Sequence, residues 1–423
     1  MKKFVFYIIL IAYSVSILPF QAIALTESEV RDQMENTNNQ INSIDKEINK
    51  LSNQIAQTGE EKNTLANMIK ELTLTRNKLL KEKDQIQKKI TVAGLMIQNI
   101  SSDIKTKEKT IDISKESLSQ TMRTLNQNDK LLLVERLLSV GNFTDFSREY
   151  NNIISINEKI KENIQLLSNK KVELLTTKSQ KENEKQKLDL LKKDLTQKEQ
   201  VVLIAKKEKD SLLVETKNKE TEYQKMLAEQ LKRKEAFEKE LDNYEAQLKF
   251  ILNPKSIPKE GSGALSWPLS YILITSPFGS RWGSFHYGLD FRASIGTQVM
   301  AMADGVVMGT GDTDTACKGA SYGKWVFIKY NNGLSSTYGH LSLISINKGD
   351  KVKEGEVVAS SGNTGSSTGP HLHVSVYASD GVKVDTVPSK SCNGKIFTQP
   401  IAAKSAYLDP ILYLPKATAS MYK

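Results

Sequence analysis

The feature that most constrains this chain is a long seam of apolar residues. From Val30 to Ile104 the seam positions follow one another in alternating steps of three and four residues, and most of them are Ile, Leu or Met. A seam kept on a seven-residue repeat predicts a left-handed coiled coil. Proline, which interrupts helices, does not occur between Pro19 and Pro254. A coiled coil is therefore expected over residues 25–250.

The seam changes character near the middle of this region. The segment from Leu131 to Leu138 is too apolar for a single seam, and the next eight residues bring Gly141 and two phenylalanines. This pattern predicts that the chain reverses at a helical tip near 131–155 and returns as a second arm. From Val201 to Leu248 lysine and glutamate dominate, which predicts a solvated helix with many ion pairs along its surface.

Beyond the helical region the pattern changes to short β segments. Proline and glycine residues between Asn253 and Gly263 mark a linker. Strand-like segments follow at 299–308, 325–330, 334–338, 357–360 and 371–377. The expected fold class is α+β and multidomain, a long α-helical coiled-coil hairpin followed by a mostly antiparallel β domain. The expected boundaries are a leader at 1–24, a coiled coil at 25–250, a linker at 251–264, a β domain at 265–415 and a tail at 416–423.

All four histidines of the chain lie in the β domain. His286 and Asp290 supply two metal-binding side chains across a short turn, and His371 and His373 share one face of a strand. Imidazole and carboxylate are ligands that zinc prefers. One histidine of the second pair can bind the metal while the other stays free beside His340 to transfer protons. The alternative is that all are ordinary polar residues of turns and strands.

The motifs around these residues resemble those of LytM/lysostaphin-type zinc endopeptidases, which cleave peptide bonds in the bacterial cell wall. The resemblance covers roughly 266–415. Its motifs are Ser276-Pro-Phe-Gly-Ser-Arg281, His286 to Asp290, Ala303-Asp-Gly-Val306, Tyr338-Gly-His-Leu341 and Gly362 to His373. It implies a catalytic domain of the duplicated hybrid motif fold, Zn²⁺ as cofactor and peptidoglycan as substrate. It also implies that His286, Asp290 and His373 bind the metal and that His340 and His371 form the catalytic pair.

One residue departs from the pattern of these endopeptidases. Ser375 stands where they often carry a glutamate after the His-x-His motif. Position 375 shares a strand face with 371 and 373. A hydrogen bond from position 375 that would orient a metal-binding histidine is therefore expected to be missing.

A second resemblance, to EnvC-type activators of murein hydrolases, rests on the architecture and on the stretch from Leu137 to Tyr150. It implies a division-complex membrane protein as partner of the coiled coil, and helices that pack near the active site and restrain it. It also supplies the alternative function, a non-enzymatic activator of murein amidases with a degenerate site. A purely structural envelope rod is a third reading. The complete set of ligands favours the peptidase.

The first residues predict export. Residues 1–24 have a basic start, a long apolar run and a small-residue cleavage pattern at Ala22-Ile-Ala24. An uncleaved membrane anchor is the alternative. The expected location is the cell envelope, either periplasmic or extracellular and wall-associated. The net charge of +10 is attributed to solvated helix faces, because no nucleic-acid motif accompanies it.

The only two cysteines, Cys317 and Cys392, both fall in the β domain. In an oxidising compartment they are able to close a disulfide. Two buried free thiols are the alternative. Zinc ligation by the thiolates is disfavoured, because neither cysteine lies in a C-x-x-C arrangement.

Overall fold

The computed structural model describes residues 27–60, 63–128, 143–281 and 284–422. Its four helices are α1 (Glu27–Glu60), α2 (Leu65–Asn128), α3 (Phe143–Thr216) and α4 (Glu220–Glu245). The predicted leader at 1–24 and much of the predicted tip lie outside the described residues. No helix in the described part of the chain has an apolar stretch long enough to cross a membrane.

The predicted seam is divided between two helices rather than one. Helix α1 ends at Glu60 and α2 begins at Leu65. The two pair in antiparallel fashion, because Lys81 lies 2.6 Å from Glu47 and the Gln85 amide donates to Asp45. The sequence did not predict this turn. A heptad frame cannot detect such a turn when the same spacing continues on both sides of it.

The chain divides into two compact units. One contains the start of α1 with Leu95–Lys178, and the other contains Asn38–Gly94 with Ser179–Lys423. In the first unit α2 and α3 are antiparallel, because Lys178 pairs with Glu108 at 2.7 Å and Lys170 donates to Ser114 Oγ at 3.4 Å. In the second unit the same two helices are joined by the 2.8 Å ion pair between Lys198 and Glu82.

The second unit also contains a β domain, as the sequence predicted. Its largest sheet runs β1-β4-β11-β8-β7-β6-β9, with β5, β10 and β14 attached beside this path, and its strand pairs are antiparallel. The strands are β1 (Ile274–Ser276), β2 (Gly279–Arg281), β3 (Ser284–His286), β4 (Leu289–Arg292), β5 (Gln298–Met300), β6 (Gly305–Asp312), β7 (Lys324–Tyr330), β8 (Leu334–Ile344), β9 (Lys351–Val352), β10 (Val357–Ser361), β11 (His371–Ala378), β12 (Val382–Ser389), β13 (Lys395–Ala402) and β14 (Tyr407–Leu408). The core includes fully buried Leu289, Phe291, Val326 and Val374. It fixes β4 and β11, which carry three of the candidate residues.

The hairpin of β12 and β13 was not predicted from sequence. Its tip holds Cys392, whose sulfur is bonded to that of Cys317. The disulfide lies in an apolar cluster with Phe237 of α4 and Phe397 of β13. The disulfide therefore links the hairpin covalently to the loop after β6, and α4 packs against this disulfide.

Removing this disulfide is expected to lower the free energy of unfolding. In the chain-entropy model a bridge that closes a loop of 75 residues contributes about 4 kcal/mol. Chemical denaturation of the Cys317→Ser/Cys392→Ser protein, compared with the wild type, measures the loss. A midpoint equal to that of the wild type would contradict this expectation.

The stretch from Val201 to Leu248 is not uniformly solvated, so that prediction was wrong. Val201 and Ala205 of α3 are buried in a cluster that includes Ile295 of the β domain. Along α4, Tyr223, Phe237 and Glu245 are buried. A few widely spaced apolar residues are enough to form the packed face of a helix. Among so many lysines and glutamates, these residues did not stand out as a pattern.

Candidate metal centre

Three side chains converge where β3, β4 and β11 meet. In the register of β4 and β11, His373 lies directly opposite Asp290. Asp290 Oδ1 is 2.9 Å from His373 Nδ1 and 3.2 Å from His286 Nε2. The ligand atoms of the three residues all lie within 4.8 Å of one another. Two imidazoles and one carboxylate form a donor set that suits a divalent metal.

The outer nitrogen of His286 fixes the orientation of its ring. Its Nδ1 donates to the Pro277 carbonyl at 2.9 Å, so Nε2, which is directed toward Asp290, is the nitrogen available to a metal. A histidine that binds a metal needs such a free nitrogen, and the hydrogen bond at the other nitrogen determines which one it is. His286 is therefore organised as a ligand before any metal binds.

The other two histidines lie beside this group and are held in the same way. His340 Nδ1 bonds the Thr364 carbonyl at 2.8 Å, and His371 Nδ1 bonds the Gly369 carbonyl at 2.7 Å. Their ring centres are 4.6 Å apart, and His371 Nε2 is 3.9 Å from Asp290 Oδ1. With Nδ1 as donor, each Nε2 is left as a proton acceptor. His340 also has a φ of 58°, a conformation that costs energy for a non-glycine residue.

Burial sets the protonation of this cluster. It lowers the pKa of His340 well below its ordinary value, with the charge of His371 as the next cause. Burial also lowers the pKa of His371, and it lowers that of His373 to about 4 against the opposing effect of Asp290. For Asp290 burial favours the neutral acid, but the charge and hydrogen bond of His286 outweigh it and hold the pKa well below its usual range. Neutral imidazoles and an ionised carboxylate are the forms that bind metals.

The contact expected to be missing at position 375 is instead made by a neutral hydroxyl. Ser375 Oγ lies 2.9 Å from His373 Nε2, the nitrogen that faces away from Asp290. Ser375 is fully buried. The second ring nitrogen of His373 therefore has a hydrogen-bonding partner, but this partner is an uncharged hydroxyl and not a carboxylate.

Helix α4 lines the cavity at this cluster. The cavity has a volume of about 90 Å³, well below the 300 Å³ or more of typical ligand pockets. Besides His286, His340 and His373, its walls include several α4 residues: Lys234, Phe237, Glu238, Leu241, Asp242 and Glu245. With α4 in this position the cavity has no room for a peptide substrate.

Polar contacts hold α4 against the β domain. Asp242 accepts a hydrogen bond from the Tyr287 hydroxyl at 3.1 Å and pairs with Lys404 at 2.6 Å. Glu240 accepts from Ser389 Oγ at 2.9 Å at the tip of the β12–β13 hairpin. The EnvC-type resemblance implied helices near the active site, whereas the residue pattern of 201–248 predicted only a solvated helix. The available signal was that Phe237, Leu241 and Glu245 recur every four residues and so share one helix face.

One family model matches the segment that holds the five candidate residues, over 284–386. It is the model of Peptidase family M23. The chain is 43% identical over 113 residues to DD-carboxypeptidase/endopeptidase Mpg of Neisseria meningitidis serogroup B, an alignment that covers 25% of this chain and 24% of that protein. It is 44% identical over 88 residues to peptidoglycan DD-endopeptidase ShyA of Vibrio cholerae, over 21% of this chain and 19% of that one.

The chain thus spans about a quarter or less of the length of these curated relatives. Among solved structures, the catalytic domain of lysostaphin from Staphylococcus simulans shares 28% identity with the chain, covering 34% of this chain and 92% of that one. The TM-score of this superposition is 0.26.

Proposed function

We propose that the protein is a zinc-dependent endopeptidase that cleaves cross-links or stem peptides of bacterial peptidoglycan. The observation that carries this proposal is the convergence of His286, Asp290 and His373, with two unprotonated histidine nitrogens beside them, inside the segment that matches Peptidase family M23. The names of the relatives, a DD-carboxypeptidase/endopeptidase and a peptidoglycan DD-endopeptidase, support the substrate class. The complete ligand set favours this function over that of a non-enzymatic activator.

The residues present fit zinc. His286 Nε2, Asp290 Oδ1 and His373 Nδ1 would hold it, which leaves a coordination position for water or substrate. When bound, zinc supplies an acidified water and polarises the carbonyl of the scissile bond.

The two remaining histidines then supply proton transfer. The hydrogen bonds at Nδ1 orient His340 and His371 with Nε2 as the basic atom. Such a nitrogen accepts the proton of the attacking water, and in its protonated form it stabilises an oxyanion or delivers the proton to the leaving amine. The lowered pKa of each imidazole keeps the basic form available at neutral pH.

We also propose that the enzyme restrains itself through α4. The helix lines the cavity beside the metal-binding residues and leaves it smaller than a typical ligand pocket. Residues Lys217 and Asn218 before it have φ values of 51° and 56°. Such values are unusual for these residues and mark a sharp bend between α3 and α4. A membrane protein of the division complex that binds the coiled coil would release the helix, and export to the cell envelope would bring the enzyme to its substrate.

The restraint is expected to weaken as pH rises. Burial raises the pKa of Glu245 to about 8, and Asp242 adds to this, while the Tyr407 hydroxyl, the Ala402 amide and Lys404 oppose it. Because this value exceeds that of a solvated glutamate, the docked helix binds more protons than the released helix. Docking is therefore strongest at acidic pH, and it is progressively lost as pH rises through 8. Tyr287 also faces this end of α4 through Asp242.

This effect is measured by dividing the cleavage rate of a variant with released α4, such as Phe237→Ala, by the rate of the wild type. The pH dependence of the metal centre cancels in this ratio. The ratio should fall between pH 6 and 8. When both proteins also carry Glu245→Gln, whose side chain does not titrate, the ratio should not change with pH. Burial alone would raise the pKa of Glu240, but hydrogen bonds from residues 389–391 outweigh it and lower that pKa. The titration of Glu240 therefore weakens docking as pH falls, and it does so only at acidic pH. A wild-type ratio that is constant with pH would contradict the assignment to Glu245.

A further inference from the structure

We propose that Glu208 of α3 is a positioning residue for His371, acting through Asn363 and Ser367. This inference rests on the proposed function, in which His371 transfers protons through Nε2, and extends it. Hydrogen bonds join the four residues in order, and we call them the Glu208 series. Through this series a helix of the coiled-coil region orients a histidine of the candidate site.

Glu208 lies on the side of α3 that packs against the β domain. Val201 and Ala205 are buried there in a cluster with Ile295. Positions 201, 205, 208 and 212 follow the spacing of one helix face, so the apolar neighbours of Glu208 hold it at the surface of the β domain. The residues of this cluster belong to α2, α3 and the β domain. Release of α4 therefore leaves this contact in place.

Each link between Glu208 and His371 is a hydrogen bond. Asn363 Nδ2 donates to Glu208 Oε1 at 2.7 Å, and Ser367 Oγ lies 2.8 Å from Asn363 Oδ1. Ser367 Oγ also lies 3.2 Å from His371 Nδ1 and 2.8 Å from the Gly369 carbonyl. That carbonyl accepts from His371 Nδ1 at 2.7 Å. The series therefore ends at the nitrogen that fixes the orientation of the His371 ring.

The carboxylate of Glu208 fixes the direction of these hydrogen bonds. Because a carboxylate only accepts, it selects the amide nitrogen of Asn363 and turns the amide oxygen toward Ser367. The single proton of the Ser367 hydroxyl is then donated to that oxygen, and the Gly369 carbonyl is left to His371 Nδ1. Without Glu208 the amide is free to turn over. The Ser367 proton would then compete with His371 for the Gly369 carbonyl.

The surroundings of the series make these contacts important. Ser367 is 6% exposed, and Glu208 and Asn363 are half-buried. Burial raises the pKa of Glu208, and the hydrogen bond from Asn363 is the first of the effects that oppose it, so the amide favours the accepting form of the carboxyl. A buried polar group that loses its partner is poorly compensated by water.

The series is expected to influence proton transfer rather than metal binding. It ends at His371, whereas the proposed zinc ligands are His286, Asp290 and His373. The same loop supplies the Thr364 carbonyl that holds His340 Nδ1 at 2.8 Å, so a displaced loop affects both histidines of the catalytic pair. Misplacement of a reacting group by about 1 Å can lower a rate by about 100-fold.

Steady-state cleavage of soluble cross-linked peptides prepared from peptidoglycan tests this inference in the full-length Phe237→Ala protein. Adding Glu208→Leu should lower kcat by roughly 10- to 100-fold, while KM and zinc content stay as in Phe237→Ala itself. Adding Glu215→Gln is the matched control. Glu215 lies two turns further along α3 and reaches the β domain through Lys318 at 3.2 Å, but it lies outside the series, so kcat should not change.

An exchange of the two side chains separates the series from a general effect on folding. Asn363→Asp sets two carboxylates against each other and should lower kcat as Glu208→Leu does. In Glu208→Gln/Asn363→Asp the glutamine amide donates to the aspartate, whose second oxygen accepts from Ser367. Its kcat should therefore exceed that of Asn363→Asp alone.

Nitrogen NMR of the histidine rings gives a readout that needs neither zinc nor cleavage. The chain has four histidines, and His371→Ala assigns the signals of His371. The zinc-free protein should hold His371 with its proton on Nδ1, and Glu208→Leu should show a mixture of the two tautomers. Glu215→Gln should match the protein without it.

Several results would overturn the inference. These are an unchanged kcat in Glu208→Leu, an equal loss in Glu215→Gln, a loss of zinc or a raised KM in place of the lowered kcat, and no recovery in the exchanged pair. If the protein binds no zinc and cleaves nothing, the proposed function fails, and the ring signals alone then decide whether Glu208 orients His371. If the protein cleaves and Glu208→Leu cleaves equally well, only the inference fails.

Discussion

Truncation of Phe237 to alanine is expected to raise the rate of peptidoglycan cleavage by tenfold or more. The Phe237 ring is 8% exposed and packs against Cys392 and Phe397, so it anchors the middle of α4. Loss of a buried phenylalanine side chain costs about 3–5 kcal/mol, and each ~1.4 kcal/mol shifts an equilibrium tenfold. The released population should therefore grow greatly. Release of soluble fragments from intact peptidoglycan, with zinc supplied in excess, measures the rate.

The control for this experiment lies on the same helix. Lys239 is exposed, and Lys239→Ala should cleave at the wild-type rate. Thermal unfolding of each protein shows whether the β domain is intact. A Phe237→Ala protein that is folded, binds zinc and cleaves no faster than the wild type would show that α4 does not restrain the enzyme.

Substitution of His371 and His373 by alanine is expected to abolish cleavage for different reasons. His371 lies beside the ligand cluster with its Nε2 3.9 Å from Asp290, whereas His373 Nδ1 approaches the same oxygen to 2.9 Å. His371→Ala should therefore retain most of its zinc and lose proton transfer, a loss of roughly 10²–10⁴-fold in rate. His373→Ala should lose the zinc itself. Metal content and cleavage are measured on the same preparations.

The comparison between these variants decides the roles of the two histidines. His340→Ala should behave like His371→Ala, because its ring lies against that of His371. Wild-type turnover in His371→Ala would reject its catalytic assignment. Full zinc content in His373→Ala would reject its assignment as a ligand.

The convergence of the candidate residues was predictable from sequence because short motifs carry it. His371 and His373 are two apart on a strand, and His286 and Asp290 flank one turn, so local geometry brings each pair together. The structure then joins the pairs through the register of β4 and β11. The antiparallel β domain was likewise predictable, although the predicted strand at 299–308 consists of β5 and β6 separated by a turn.

The packing of α4 was not predictable from local pattern. Its anchoring contacts join residues that are far apart in the chain, as between Phe237 and Phe397 or Glu245 and Tyr407. Periodicity reports which face of a helix is apolar but not what that face meets. The turn between α1 and α2 was missed for a related reason, since the heptad frame persists across it.

Position 375 shows a limit of the opposite kind. The resemblance identified Ser375 as a departure and predicted a missing contact with the metal-binding histidine. The structure instead places Ser375 Oγ 2.9 Å from His373 Nε2, because residues two apart on a strand share one face.

The most direct test of the central claim is incubation of the full-length protein and its Phe237→Ala form with intact peptidoglycan, with and without a zinc chelator, followed by identification of the released fragments by mass. We expect fragments whose masses correspond to hydrolysis of a peptide bond, released faster by the Phe237→Ala form and suppressed by the chelator. The masses also identify the bond that is cut. Failure of both forms to release fragments, despite bound zinc, would contradict the peptidase function and favour a non-enzymatic activator.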